Sequence, residues 1–228
     1  MHSYTQSVIK TYKKYANQER SEQQKAYMKG KFEFFGLTSP ERKEINRGFL
    51  LKTNLPEKQE AFDIIRELWE QPQRELQYFA MALAQKYLKQ YNKDDIILYE
   101  HLITQKSWWD TVDYIAATLV GSYFKHFEHR RESLVNQWLI SENMWLQRTC
   151  VLFQLKYKNQ TDTMLLKNTI NRLLARKEFF INKAIGWSLR EYSKTDPDWV
   201  REIVQEFDDD LSNLSRREAL KVIEKKKK

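Results

Sequence analysis

The sequence predicts an all-α fold built from repeated helix pairs, and three observations carry that expectation. Apolar residues recur at helical spacing in nearly every segment, and strand-like alternation is absent. Five Gly and four Pro in 228 residues are too few for the turns of an all-β architecture or for glycine-rich phosphate loops. A spacing near 35 residues, the length of a helix pair with two short turns, returns through the chain.

In chain order, the periodicity predicts helices over Tyr4–Ala16, Glu22–Lys29 and Glu41–Lys52, the last set off by Ser39-Pro40. Leu55-Pro56 precedes the helix predicted over Lys58–Glu70, and Gln71-Pro72 precedes the one over Gln73–Gln90. Proline fits a first helical turn and disfavours helix just before it, so these dipeptides mark joints. Short polar breaks then separate Asp94–Thr104, Trp109–Lys125, Arg131–Ile140, Met144–Lys156, Asp162–Leu174 and Lys177–Tyr192. Asp196-Pro197 opens Pro197–Phe207, and Ser215–Glu224 is the last predicted helix.

The period is seen in four tyrosines, Tyr87, Tyr123, Tyr157 and Tyr192, separated by 36, 34 and 35 residues. Ten residues before each stands a small polar side chain: Gln77, Asp113, Gln147 and Asn182. The Trp, Gly and Pro pattern of tetratricopeptide repeats is not met, so the repeats read as HEAT-like, about six of them. Stacked in this way they form an α-solenoid with an extended concave face. The expected organisation is one domain over residues 1–224 with a basic tail over 225–228.

Lys and Arg number 39 against 31 Asp and Glu, a net charge of +8, half of it in the run Lys225 to Lys228. A basic balance favours nucleic acid, anionic membrane or acidic partners without choosing among them. A single cysteine, Cys150, excludes an intrachain disulfide framework and suits a reducing cytoplasm, where the protein is expected. No stretch approaches 18 consecutive apolar residues, and the first fifteen residues hold no apolar signal core.

Metal chemistry finds little support. His2, His101, His126 and His129 fit neither HExxH nor a cysteine-rich ligand spacing. GxGxxG, Walker and GxSxG motifs are missing as well. The stretch Ser107 to Asp113, SWWDTVD, is the most unusual in the chain. Trp109 and Asp113 are four apart and share a helix face, which sets a carboxylate one turn from an indole. Such a pair suits a cation or an electron-poor sugar carbon, although packing against the next repeat and a cap-like Asp is the commoner explanation, and the pair alone is a weak signal. Arg148 follows Gln147, and Lys183 fills the corresponding place one repeat later, with Trp187 four residues on. Basic residues on successive repeats with Trp interleaved are what phosphate and base contacts require. Ideal helical phase, however, places Trp187 about 140° from Asn182, toward the core.

KSWWDTVD, NMWLQRTCVLFQLKYK and KEFFINKAIGWSLREYSKT, with AYMKGKFEFFGLTSPERK before them and LSRREALK after, resemble the AlkD-type DNA alkylation repair glycosylases. The likeness runs almost end to end, and that family is built of HEAT-like repeats. The resemblance implies excision of cationic N3- and N7-alkylated purines from double-stranded DNA, with no cofactor and no metal, by a monomer that binds no membrane. By motif match, Asp113 is the expected catalytic carboxylate, and Trp109 and Trp187 are the aromatics flanking the lesion. Arg148 is expected close to the backbone of the scissile nucleotide and Tyr27 along the DNA-facing cleft, with Lys183 and Arg190 among the DNA-binding residues. The rival from another class is a non-catalytic HEAT-like scaffold that binds DNA or protein.

Overall fold

The structure is a computed structural model and describes residues 1–225. The described chain is helical, and its one strand-like feature is an isolated bridge between Glu33 and Gln73. This is an all-α, repeat-type fold, as the periodicity predicts. Of the expected basic tail, Lys225 closes the last helix; residues 226–228 lie outside the described residues. The chain divides into two compact units, Met1–Tyr91 and a second beginning at Asn92.

The first unit comprises α1 (Ser3–Lys14), α2 (Gln18–Tyr27), α3 (Ser39–Phe49), α4 (Lys58–Glu70) and α5 (Arg74–Gln85). Helix α2 starts four residues before its predicted position because the Asn17 side chain caps it, accepting the Arg20 N–H at 2.9 Å. Thr38 caps α3 in a capping box with Glu41, and Pro40 fills the first turn. The loop before α3 is pinned by a buried carboxylate. Glu75 accepts the backbone N–H groups of Phe35, Gly36 and Leu37 at 2.9–3.2 Å. Gly36 adopts φ +87° there, and a Cβ on it would lie 2.0 Å from the Asn17 carbonyl, so only glycine fits. Val8, Tyr12, Ile64, Leu68, Trp69, Leu76 and Phe79 are fully buried and form this unit's core.

The second unit is a succession of helix pairs. Helix α6 (Asp95–Thr104) leads to α7 (Trp109–Tyr114), which runs through a π-helical stretch, Ile115–Val120, into α8 (Gly121–His126). Then follow α9 (Glu128–Ile140) with α10 (Met144–Leu152), α11 (Thr163–Leu173) with α12 (Phe179–Tyr192), and α13 (Pro197–Glu206) with α14 (Asn213–Lys225). The second member of each pair packs on that of the next: α7 on α10, α10 on α12, α12 on α14. These helices form one layer, and residues at the same repeat position become neighbours across it.

The periodic tyrosines are struts that brace the ends of the helix pairs. The hydroxyl of Tyr123 donates to the Lys93 carbonyl at 2.7 Å and that of Tyr157 to the Gly121 carbonyl at 2.6 Å. Tyr87 makes the same kind of bond to Pro56 within the first unit, and Tyr192 stacks edge-on against Trp199. A neutral hydrogen bond of this sort contributes about 1 kcal/mol net, so burial of the rings supplies most of the stabilisation.

The polar slot ten residues earlier has an equally plain role. The Gln77 amide donates to the Trp69 and Gln71 carbonyls at 3.1 and 2.7 Å, Gln147 to that of Leu139 at 3.1 Å, and Asn182 to those of Arg176 and Glu178 at 3.1 Å. Apart from the Glu178 carbonyl, which opens α12 and already accepts backbone N–H groups, these carbonyls lie where the preceding helix or turn ends. Asp113 does not belong to this set. Counted by repeat length, Gln147 lies 35 residues after Val112, which is fully buried like the slot residues, and Arg148 lies 35 after Asp113. The interval from slot to tyrosine is ten residues in the other repeats and eleven here. The π-helical stretch between Val112 and Tyr123 takes up the additional residue. The sequence alignment of Asp113 with Gln147 is therefore corrected by one place.

Candidate active site on the α7, α10 and α12 layer

That one-place shift puts Asp113, Arg148, Lys183 and Glu218 in a single register, each 35 residues after the last, on α7, α10, α12 and α14. They pair in two sets. Arg148 Nε donates to Asp113 Oδ1 at 2.7 Å and Nη2 to Oδ2 at 2.9 Å, a bidentate fork. Lys183 Nζ meets Glu218 at 2.8 Å, and Arg190 reaches the other oxygen of the same carboxylate.

The Asp113–Arg148 pair is held from several sides. Asn143 caps α10, accepting the N–H groups of Trp145 and Leu146 at 2.9 and 3.2 Å, which fixes the turn that carries Arg148. The remaining Arg148 nitrogen, Nη1, donates to the Phe180 carbonyl at the start of α12. Beside it, the rings of Trp108, Trp145 and Phe180 form a cluster with centroids 5.1–5.8 Å apart. The Arg148 side chain is 3% exposed and that of Asp113 14%. The carboxylate thus keeps a solvent edge, whereas the guanidinium is enclosed with three of its five N–H groups committed. Trp109, one turn before Asp113, is half-buried on the same helical face.

Burial pushes the Asp113 carboxyl above its ordinary 3.8, with Asp110 adding to the rise, against the hydrogen bond and charge of Arg148. A carboxyl raised by folding stabilises the native state most below its unfolded pKa, and that contribution is lost as pH rises through the folded value. At neutral pH the ionised Asp113 therefore costs stability, a cost typical of functional carboxylates.

Along α12 the buried positions are Ile181, Asn182, Ala184, Ile185, Gly186, Ser188 and Leu189. Lys183, Trp187 and Arg190 are left on one partly open stripe, within about 60° of each other around the axis. Trp187 is half-buried rather than sent to the core as ideal phase predicts, because α12 is covered from two sides, by α10 and α14, and this stripe is what remains. Tyr27 belongs to the first unit, at the end of α2, and is 72% exposed. Sequence reasoning missed Glu218, the Phe180 carbonyl and the Trp108–Trp145–Phe180 cluster. The signal available was the exact 35-residue ladder of charges, obscured by the extra residue in the π-helical stretch.

Among the described residues no group of three or more His, Cys, Asp or Glu side chains is placed to hold a metal ion. His126 and His129 instead flank the Phe127 ring. Cys150 is buried, its thiol contacts the Val135 carbonyl at 3.7 Å, and burial raises its pKa, which describes a packed side chain rather than a nucleophile. No described helix is long and apolar enough to cross a membrane.

Comparison with known proteins identifies the family. No curated protein matches the chain. A solved structure, described as a predicted DNA alkylation repair enzyme from Enterococcus faecalis, is 34% identical, with a TM-score of 0.83 over 90% of this chain and 95% of that one. The family of DNA alkylation repair enzymes matches residues 8–223, nearly the whole sequence and every residue of the ladder. The chain belongs to the DNA alkylation repair enzyme family.

Proposed function

We propose that the protein is a monofunctional DNA glycosylase that hydrolyses the N-glycosidic bond of cationic N3- and N7-alkylated purines in duplex DNA. The observation that carries this reading is the Asp113 carboxylate, fixed bidentately by a buried arginine yet open on one edge, one helical turn from Trp109. A carboxylate placed only for stability would close the pair; this one keeps lone pairs for a further partner.

The chemistry needs little else. Alkylation at N7 or N3 gives the purine a formal positive charge, so the C1′–N9 bond breaks with its electron pair passing to the base, which departs neutral. The sugar left behind has oxocarbenium character, which an ionised carboxylate stabilises. Water then attacks C1′ and its proton passes to Asp113 and on to solvent. The faces of Trp109 and Trp187 attract the cationic base, at about 0.5–2 kcal/mol each. Lys183, Arg190 and Tyr27 serve the duplex backbone, and Arg148, with at most two N–H groups to spare, mainly orients the carboxylate.

This assignment has a pH signature. The ionised form of Asp113 is the active one, so single-turnover excision, corrected for spontaneous base loss, rises with pH through an inflection above 3.8. An inflection at or below that value would mean the carboxyl is not the desolvated group in the complex.

Selectivity tests the reading as a whole. With the lesion's own charge driving departure, duplexes carrying one 7-alkylguanine or 3-alkyladenine are expected to release free base. Matched duplexes carrying hypoxanthine, uracil or ethenoadenine are expected to stay intact under identical single-turnover conditions. Efficient hypoxanthine release would require an acid and a pocket that this reading does not contain, and release from none of them would leave the non-catalytic scaffold.

A further inference from the structure

On the open stripe of α12, Lys183 and Arg190 lie on either side of Trp187, and both are bound by one carboxylate of the neighbouring helix. Glu218 is 7% exposed and sits on α14. Its position follows from close packing of the two helices. A Cβ at Gly186, next to Trp187, would lie 2.7 Å from the Glu218 Cβ and 2.8 Å from the Ser215 carbonyl oxygen, so only glycine lets α14 come this near. Ser215 adds a hydrogen bond to the Asn182 carbonyl at 2.8 Å, which sets the axial register of α14 against α12.

A buried carboxylate shared by two cations neutralises one charge and leaves the other. Lysine has three N–H donors and arginine five, so each keeps donors free after meeting Glu218. The Lys183 side chain is 37% exposed and that of Arg190 25%, which leaves those donors within reach of solvent. Two long, mobile basic side chains are thereby held in one arrangement around an indole, at no entropy cost on binding. Lys183 also keeps the carboxyl of Glu218 ionised, below its ordinary range.

We propose that Glu218 is a positioning residue. It presents Lys183 and Arg190 together as a preset two-cation contact for the phosphates beside the base that Trp187 faces. The inference rests on the glycosylase reading, and it adds a residue that touches neither base nor sugar.

Glu218→Gln and Glu218→Asp test it in the full-length protein, with two readouts. Removing the charge frees a cation, so Glu218→Gln is expected to bind undamaged duplex more tightly at low salt, with a salt slope steeper by about one unit. Single-turnover release from a 7-methylguanine duplex at saturating protein is expected to fall about tenfold or more, because the cations no longer hold one geometry. Glu218→Asp keeps the charge but withdraws it by one methylene, so it should keep the wild-type slope and still lose rate. Movement of slope and rate in opposite senses is what a merely structural role would not produce. Both readouts unchanged, both falling in step with thermal stability, or loss of fold in both variants would overturn the proposal. If the wild-type protein releases no base at all, the glycosylase reading fails, while the slope on undamaged duplex still tests the two-cation contact.

Discussion

Asp113→Asn is expected to lower single-turnover excision of a cationic purine by about 10²–10⁴-fold, the range of a positioned acid–base group. The substitution preserves shape and one oxygen acceptor for Arg148, but it removes the charge that faces the oxocarbenium-like sugar. It also leaves an enclosed guanidinium without its counter-charge. The same change relieves the burial cost of the carboxylate itself, so the net loss of stability is smaller than for a pair broken outright. The rate must therefore be read well below the melting temperature, with circular dichroism confirming a folded protein. Turnover near wild type would make Asp113 a structural partner of Arg148 and nothing more.

Arg148→Ala is expected to have the larger effect on stability. Three N–H groups are lost, two from a bidentate pair and one from the Phe180 carbonyl. A largely buried carboxylate then stands unpaired, a change that costs about 3–5 kcal/mol at neutral pH. The cost should shrink in acid, because a protonated Asp113 needs no counter-ion; stability against pH for the variant should fall away from wild type as pH rises through the Asp113 pKa. Excision should fall as well, through a misplaced and harder-to-ionise carboxyl. The salt slope on undamaged duplex should stay near wild type, since the guanidinium is 3% exposed. A slope lower by about one unit with stability intact would instead make Arg148 a phosphate contact.

The repeat and the helical class were legible in the sequence because they depend on local patterns. Tyrosines at 36, 34 and 35 residues mark struts at the ends of the helix pairs, two reaching back to the start of their own pair and one to the pair before. Gln77, Gln147 and Asn182 mark places where the preceding helix or turn ends and a carbonyl needs an amide donor. Helix ends were less legible. Helix α5 stops at Gln85, five residues short of its predicted end, where Lys86, Tyr87 and Leu88 turn on i→i−3 hydrogen bonds. A π-helical stretch has no clear sequence signature, so Asp113 aligned with the capping slot, and its pairing with Arg148, 35 residues on, stayed hidden. Trp187 was out of reach of periodicity alone. Its exposure depends on how much of α12 its neighbours cover, a matter of packing between distant segments. The resemblance to a family of repair glycosylases drew attention to Trp187, and its place on the open stripe with Lys183 and Arg190 supplies a physical reason.

The central claim is that water, steered by Asp113, replaces the base at C1′ with no enzyme-bound intermediate. The most direct measurement is single turnover of a duplex carrying one 7-methylguanine, with and without borohydride, and with both products weighed by mass spectrometry. The account predicts free neutral 7-methylguanine and an abasic strand, with nothing trapped on the protein by borohydride. A duplex bound but intact, or a strand captured covalently on a lysine, would contradict it.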